Sequence, residues 1–124
     1  MENPLYSKSK QLALQIVKLN NFLLSREEYI MSKQILKSGT SVGANIREAK
    51  RPQSEADCVS KLQIALKEAE ETAFWLEILS ESGYINTELF DPLYNLTEEV
   101  IKILVAIIKN KQEIIQKSKF KIQQ

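Results

Sequence analysis

The chain has 124 residues, 17 of them basic and 16 acidic, with no histidine and a single cysteine. That length suits one domain around one core, and a net charge of +1 selects no polyanionic partner by itself. The missing histidine removes the commonest general base and the commonest metal ligand together.

Glycine and proline are scarce, three of each, while Leu, Ile, Lys, Glu and Ala dominate, a helical composition. Met1 to Lys10 is polar and contains Pro4, unlike a secretory leader. Pro4 suits the first position of a helix running to about Leu24, whose stripe is Leu5, Ser9, Leu12, Ile16, Leu19 and Leu23. Ser25, followed by Glu27 and Glu28, reads as the N-cap of a second helix from Arg26 to about Lys50. Its seam is Ser32, Ile35, Gly39, Val42, Ile46 and Ala49. Gly39 and Gly43 each cost about 1 kcal/mol relative to alanine inside a helix and so need a reason. A loop would be one reason. Close approach is the other: Ser38, Gly39, Ser41, Gly43 and Ala44 form a small-residue patch on which a bulky group such as Trp75 could lie. The unbroken phase of Ile35, Val42, Ile46 and Ala49 favours the helix.

Pro52 ends that helix, and Ser54 with Asp57 three residues on resembles a capping box opening the third. Cys58, Leu62, Ala65, Ala69, Thr72, Leu76 and Leu79 recur in steps of four and three and draw one continuous stripe. Ile64, Trp75 and Ile78 lie on a second flank. Cys58, alone and on the stripe, reads as a small buried hydrophobe and fits a reducing, cytoplasmic setting. Gly83 closes the helix in the left-handed position, with Tyr84 folding back on Leu79.

The fourth helix is read as starting with Asp91 capping Pro92, in preference to a cap at Asn86 or Thr87. Leu93, Leu96, Val100, Ile103 and Ile107 form its seam, and Ile101, Leu104 and Ile108 a second flank. The longest apolar run, Val100 to Ile108, is broken by Lys102 and falls well short of the roughly 20 residues that span a bilayer. Four amphipathic helices with short connections predict an all-α, antiparallel, up-down-up-down four-helix bundle over residues 1–119, with 120–124 a fraying basic tail. Apolar residues on two flanks of helices three and four predict self-association.

Charge is sorted along the chain. Residues 26–51 carry six basic and three acidic groups, residues 52–83 two basic and seven acidic, and residues 109–124 five basic and one acidic. Arg47, Lys50 and Arg51 cluster at the end of helix two, where cations suit the helix dipole. On one chain they are a solvated face; repeated around a ring they form a basic band able to hold phosphates. Asn45, Glu48, Lys61, Glu68, Glu71 and Thr72 lie beside the seams of helices two and three, as an inter-helix polar network or as a ligand site. A small-molecule or metal-dependent enzyme would use Glu48, Glu68 and Glu71, but the Glu-x-x-His pattern of bundle metal sites is missing, and a solvated or salt-bridged acidic face is the better reading of Glu68 and Glu71. The run GTSVGAN lacks the Gly-Lys-Ser/Thr of a phosphate-binding loop and has no strand before it. No catalytic residue, cofactor or metal is expected.

The run SVGANIREAK followed by SEADCVSKLQIALKEAEETAFWLEILSESGYI closely resembles the 23S rRNA intervening-sequence proteins, a four-helix-bundle family. The matching positions are Ser41, Ala44, Asn45, Ile46 and Glu48, then Ser54 and Asp57, Lys61 to Thr72, Trp75 with Leu76, and Ser82 to Ile85. The chain departs where the family often has Ala-Glu-Gly, reading Arg47, Glu48, Ala49. The family is in turn similar to the accessory protein of diversity-generating retroelements. That resemblance implies a pentameric ring of bundles, with RNA or DNA, or a protein such as a reverse transcriptase, as partner.

Overall fold

The computed structural model describes residues 3–123 and contains four helices: α1 Pro4–Ser25, α2 Met31–Ala49, α3 Glu55–Glu81 and α4 Thr87–Gln123. Each packs against its neighbour in sequence, most extensively α2 against α3, and a lighter α1–α4 seam closes the square. This is the up-down-up-down bundle that the seams predict.

Helix α1 begins on Asn3, whose side chain accepts the Leu5 N–H at 2.9 Å, with Pro4 at the first position, where no donor is missed. Its buried stripe is the one read from the sequence. The turn that follows departs from that reading, because Ser25 is the last residue of α1 and not the cap of α2. The Glu28 N–H bonds back to the Leu23 carbonyl at 2.9 Å and the Glu27 N–H to Leu24 at 3.0 Å, a Schellman ending. Glu27 holds the left-handed place, at φ 61°, that glycine usually takes. The cap of α2 is Glu28, 7% exposed, whose carboxylate accepts the N–H groups of Ser32 at 2.7 Å and Ile30 at 3.2 Å.

Both glycines of α2 lie inside the helix, and the close approach they allow is to α1, not to Trp75. A Cβ on Gly39 would stand 2.7 Å from Ile16 Cγ1, and one on Gly43 would lie 3.4 Å from the Ser9 carbonyl oxygen. Trp75 packs at the other side of the core and donates to Glu71 at 3.4 Å.

Ser54 caps α3, accepting from the Asp57 N–H at 3.0 Å, while the Asp57 carboxylate takes the Gln53 N–H at 3.1 Å, one residue before the usual capping-box donor. The helix ends as expected. Gly83 has φ 86°, the Tyr84 N–H reaches the Leu79 carbonyl at 2.9 Å, and the Gly83 N–H reaches Ser80 at 3.1 Å. Ile85 is the buried anchor of this ending.

Helix α4 starts a full turn earlier than the Asp91–Pro92 reading. Asn86 caps it through the Leu89 N–H at 3.0 Å, and Pro92 lies inside the helix. The lost bond to Glu88 is offset by what the extra turn adds, since Phe90 packs on the core and stacks on Tyr94 at 4.8 Å. At its other end the helical backbone continues past Lys117 to Gln123.

The core falls into two apolar clusters. One is built on Leu12, Ile16, Leu23, Ile35, Leu76 and Leu79, the other on Val42, Ile46, Leu62, Ala65, Val100 and Leu104. Each fully buried Leu or Ile contributes about 1.5–3 kcal/mol. Both flanks of α4 are engaged within one chain, Ile101, Leu104 and Ile108 being buried. Exposed apolar surface remains at Leu14, Val17, Phe74, Val105, Ile114, Phe120 and Ile122. No described helix is long and apolar enough to cross a membrane.

Candidate functional site

The tight seating of Gly39 on Ile16 fixes α1 against α2, and a groove of about 510 Å³ lies between the first half of α1 and the second half of α2. Tyr6, Lys10 and Ala13 form one wall; Gly43, Ala44, Arg47 and Lys50 form the other. Glycine and alanine keep the floor low, and among the described residues no carboxylate lines the groove. Lys50 Nζ sits 4.9 Å above the Tyr6 ring, a cation–π contact that holds the ammonium at the groove mouth. Three cations therefore face one concavity with no neutralising partner among the described lining residues, an arrangement suited to a phosphate or another anion. Tyr6 adds a π-face beside them, of the kind on which a nucleobase stacks.

Of the basic residues read from the sequence, Arg47 and Lys50 meet in this groove. Arg51 is exposed in the turn after α2, its N–H on the Glu48 carbonyl at 3.3 Å, outside the groove lining. The sequence reading missed Lys10 and Tyr6. They lie on another helix some forty residues away, and only the register of α1 against α2 would have paired them with Arg47 and Lys50.

The six polar residues separate into distinct contacts. Glu48 and Lys61 form an ion pair at 3.2 Å between α2 and α3, about half and one-third exposed. Such a pair contributes at most about 1 kcal/mol. The Thr72 hydroxyl is fully buried, 2.9 Å from the Ser38 hydroxyl across the α2–α3 seam, and donates to the Glu68 carbonyl at 2.8 Å. Asn45 donates within its own helix, to the Ser41 carbonyl at 2.9 Å and hydroxyl at 3.1 Å. Glu71 is exposed and accepts from Trp75. Among the described residues no three acidic or thiol groups converge as metal ligands would. Cys58 is buried, its Sγ 3.4 Å from the Ala49 carbonyl oxygen.

A family model described as 23S rRNA-intervening sequence protein matches residues 1–106. The chain belongs to the 23S rRNA-intervening sequence protein family. A solved relative is a protein of unknown function from the S23 ribosomal protein family of Bacteroides thetaiotaomicron. It is 51% identical, with a TM-score of 0.83 over 85% of this chain and 98% of that one. No curated protein is a match for the chain. The whole α1–α2 groove lies inside the stretch matched by the intervening-sequence family, whereas α4 beyond residue 106 lies outside it.

Proposed function

We propose that this chain is a non-enzymatic, homo-oligomeric bundle, assembled as a pentameric ring in the cytoplasm, that holds RNA or DNA by its phosphates. The observation that carries the reading is the groove in which Lys10, Arg47 and Lys50 meet, with Tyr6 beside them and no carboxylate among the described lining residues. Arg51, one residue on, extends the basic rim. The resemblance to the accessory protein of diversity-generating retroelements supports the pentamer, and the exposed Leu14, Val17 and Phe74 supply apolar surface for assembly. Binding through phosphates weakens steeply with salt. Fluorescence anisotropy with structured RNA and with duplex DNA at low salt tests it. Binding that fades as salt rises is expected, and no binding to either ends the reading.

A second reading is a scaffold that docks a partner protein, such as a reverse transcriptase, without touching nucleic acid. It is favoured by the outer face of α3, where Phe74 is 52% exposed among carboxylates. A partner retained after nuclease treatment, together with no direct binding of nucleic acid, would select this reading over the first.

A further inference from the structure

Lys111 pairs with Glu55 at 3.6 Å, which places it level with the first residue of α3. The bundle thins out there, but α4 does not end. Residues 112–123 continue as helix for about 18 Å; Ile115 still packs on the edge of the core, and no other described helix runs on beside the rest. The core stripe of α4 runs on in register, from Ile101 and Ile108 to Ile115 and Ile122 at seven-residue steps, and Ile122 is 84% exposed. On the opposite side Ile114, Lys117, Phe120 and Lys121 share one face, with Phe120 62% exposed. With Ile114, Phe120 and Ile122 exposed and only Ile115 covered by its own chain, this end of the helix needs a partner elsewhere.

The charge identifies the partner. From residue 109 onward there are five lysines and one glutamate, whereas residues 52–83 carry seven acids and two bases. On α3, Glu70, Phe74, Glu77 and Glu81 recur at steps of four and three, an apolar ring bracketed by carboxylates on one outward stripe. The stripe is about 16 Å long, close to the length of the overhang. It is the complement of Phe120 bracketed by Lys117 and Lys121. The chain's own stripe is out of reach: it lies in the second half of α3, while the overhang leaves from the first residue of α3 in the opposite direction. Pairing overhang with overhang would set lysines against lysines.

We infer that residues 112–123 are an arm that docks on the Glu70–Phe74–Glu77–Glu81 stripe of a second copy of this chain. Each copy gives one arm and receives one, a head-to-tail contact that closes into a ring when the rotation permits. The inference rests on the homo-oligomer reading above and names the surfaces that make it.

The test is mass by light scattering, across a concentration series, for the full chain and three variants. These are a chain ending at Lys111, the reversal Lys117→Glu/Lys121→Glu, and the reversal Glu70→Lys/Glu81→Lys. All four substituted charges lie at the surface, and circular dichroism confirms that each variant keeps its helices. The expected result is an oligomer for the full chain, with assembly weakened about tenfold or more in each variant. Combining the two reversals in one chain restores it. A monomeric full chain would overturn both this inference and the homo-oligomer reading. An oligomer indifferent to all three changes would overturn this inference alone. It would also be overturned if the truncated chain kept its mass but lost binding to RNA, to phosphatidylcholine–phosphatidylserine vesicles or to a different protein, because the arm would then serve that partner.

Discussion

Gly39 of α2 rests against Ile16 of α1 so closely that a methyl group added to it would stand 2.7 Å from Cγ1 and 2.9 Å from Cγ2 of the isoleucine. The crowding is at the root of a β-branched side chain, which cannot swing aside. Alanine at position 39 gains about 1 kcal/mol of helix propensity and loses about 1–3 kcal/mol to overpacking. Gly39→Ala is therefore expected to lower the melting temperature. At Gly43 the nearest atom is 3.4 Å away, so Gly43→Ala should leave stability unchanged or raise it by up to about 1 kcal/mol. Thermal melts in which the two variants behave alike would contradict this packing.

The Ser38–Thr72 hydroxyl pair bridges α2 and α3 where the core is otherwise apolar. Thr72→Val keeps the shape but removes that bond and leaves the Ser38 hydroxyl with only a long contact to the Ile35 carbonyl, at 3.4 Å. The expected cost is about 1–2 kcal/mol. Because the two groups satisfy each other, Ser38→Ala/Thr72→Val should cost less than the sum of the single changes. Strict additivity in urea unfolding would mean that the pair is not coupled.

Tyr94 donates its hydroxyl to Glu77 Oε2 at 3.0 Å. That bond, followed by burial and by the charges of Glu77, Glu98 and Glu70, holds the phenol above its ordinary value of 10.0. The folded chain thus keeps the proton longer than the unfolded chain. The stability this confers is complete below about pH 10 and is lost as the pH climbs from there through the folded-state value. Denaturant midpoints measured from about pH 9 to 12 should fall more steeply for the native chain than for Tyr94→Phe, which has no such proton. Equal falls would remove Tyr94 from the alkaline transition.

If the α1–α2 groove holds phosphates, each of its cations contributes one released counterion. Lys10→Ala, Arg47→Ala and Lys50→Ala should each reduce the slope of log affinity against log salt by about 0.9 for duplex DNA. Arg51→Ala, outside the groove lining, should reduce it less. Tyr6→Ala should weaken single-stranded more than duplex nucleic acid, because only free bases can stack on the ring. Titrations at several salt concentrations, with no change in slope for any of the three cation variants, would exclude the groove.

The seams of the first three helices are legible in the sequence because burial follows a helical period: Leu5 to Leu23 and Cys58 to Leu79 mark the buried faces directly, whereas in α4 the buried face passes after Val100 to Ile101, Leu104 and Ile108 and leaves the expected seam residues Ile103 and Ile107 half-buried. The connections were harder. Glu27 takes a left-handed angle with no glycine to signal it, and Glu28 caps α2 from three residues before the first helical position. Proline at 92 suggested a helix start, whereas the Asn86 cap and the packing of Phe90 carry the helix through it. At the candidate site Arg47 and Lys50 were visible as neighbours on one helix. Tyr6 and Lys10 depend on how two helices slide past each other, and that register is set where Gly39 seats on Ile16. The same limit applied to Trp75, set against the glycines by size alone when Ile16 fills that place.

The sole thiol of the chain is sealed where α2 gives way to α3, with its sulfur turned toward the backbone of Ala49. No other residue competes for a reagent specific for thiols, so the speed of labelling counts how often these two helices part. In an assembled particle every copy carries one such clock at an equivalent position, and its slowing on assembly would record how far neighbours brace one another.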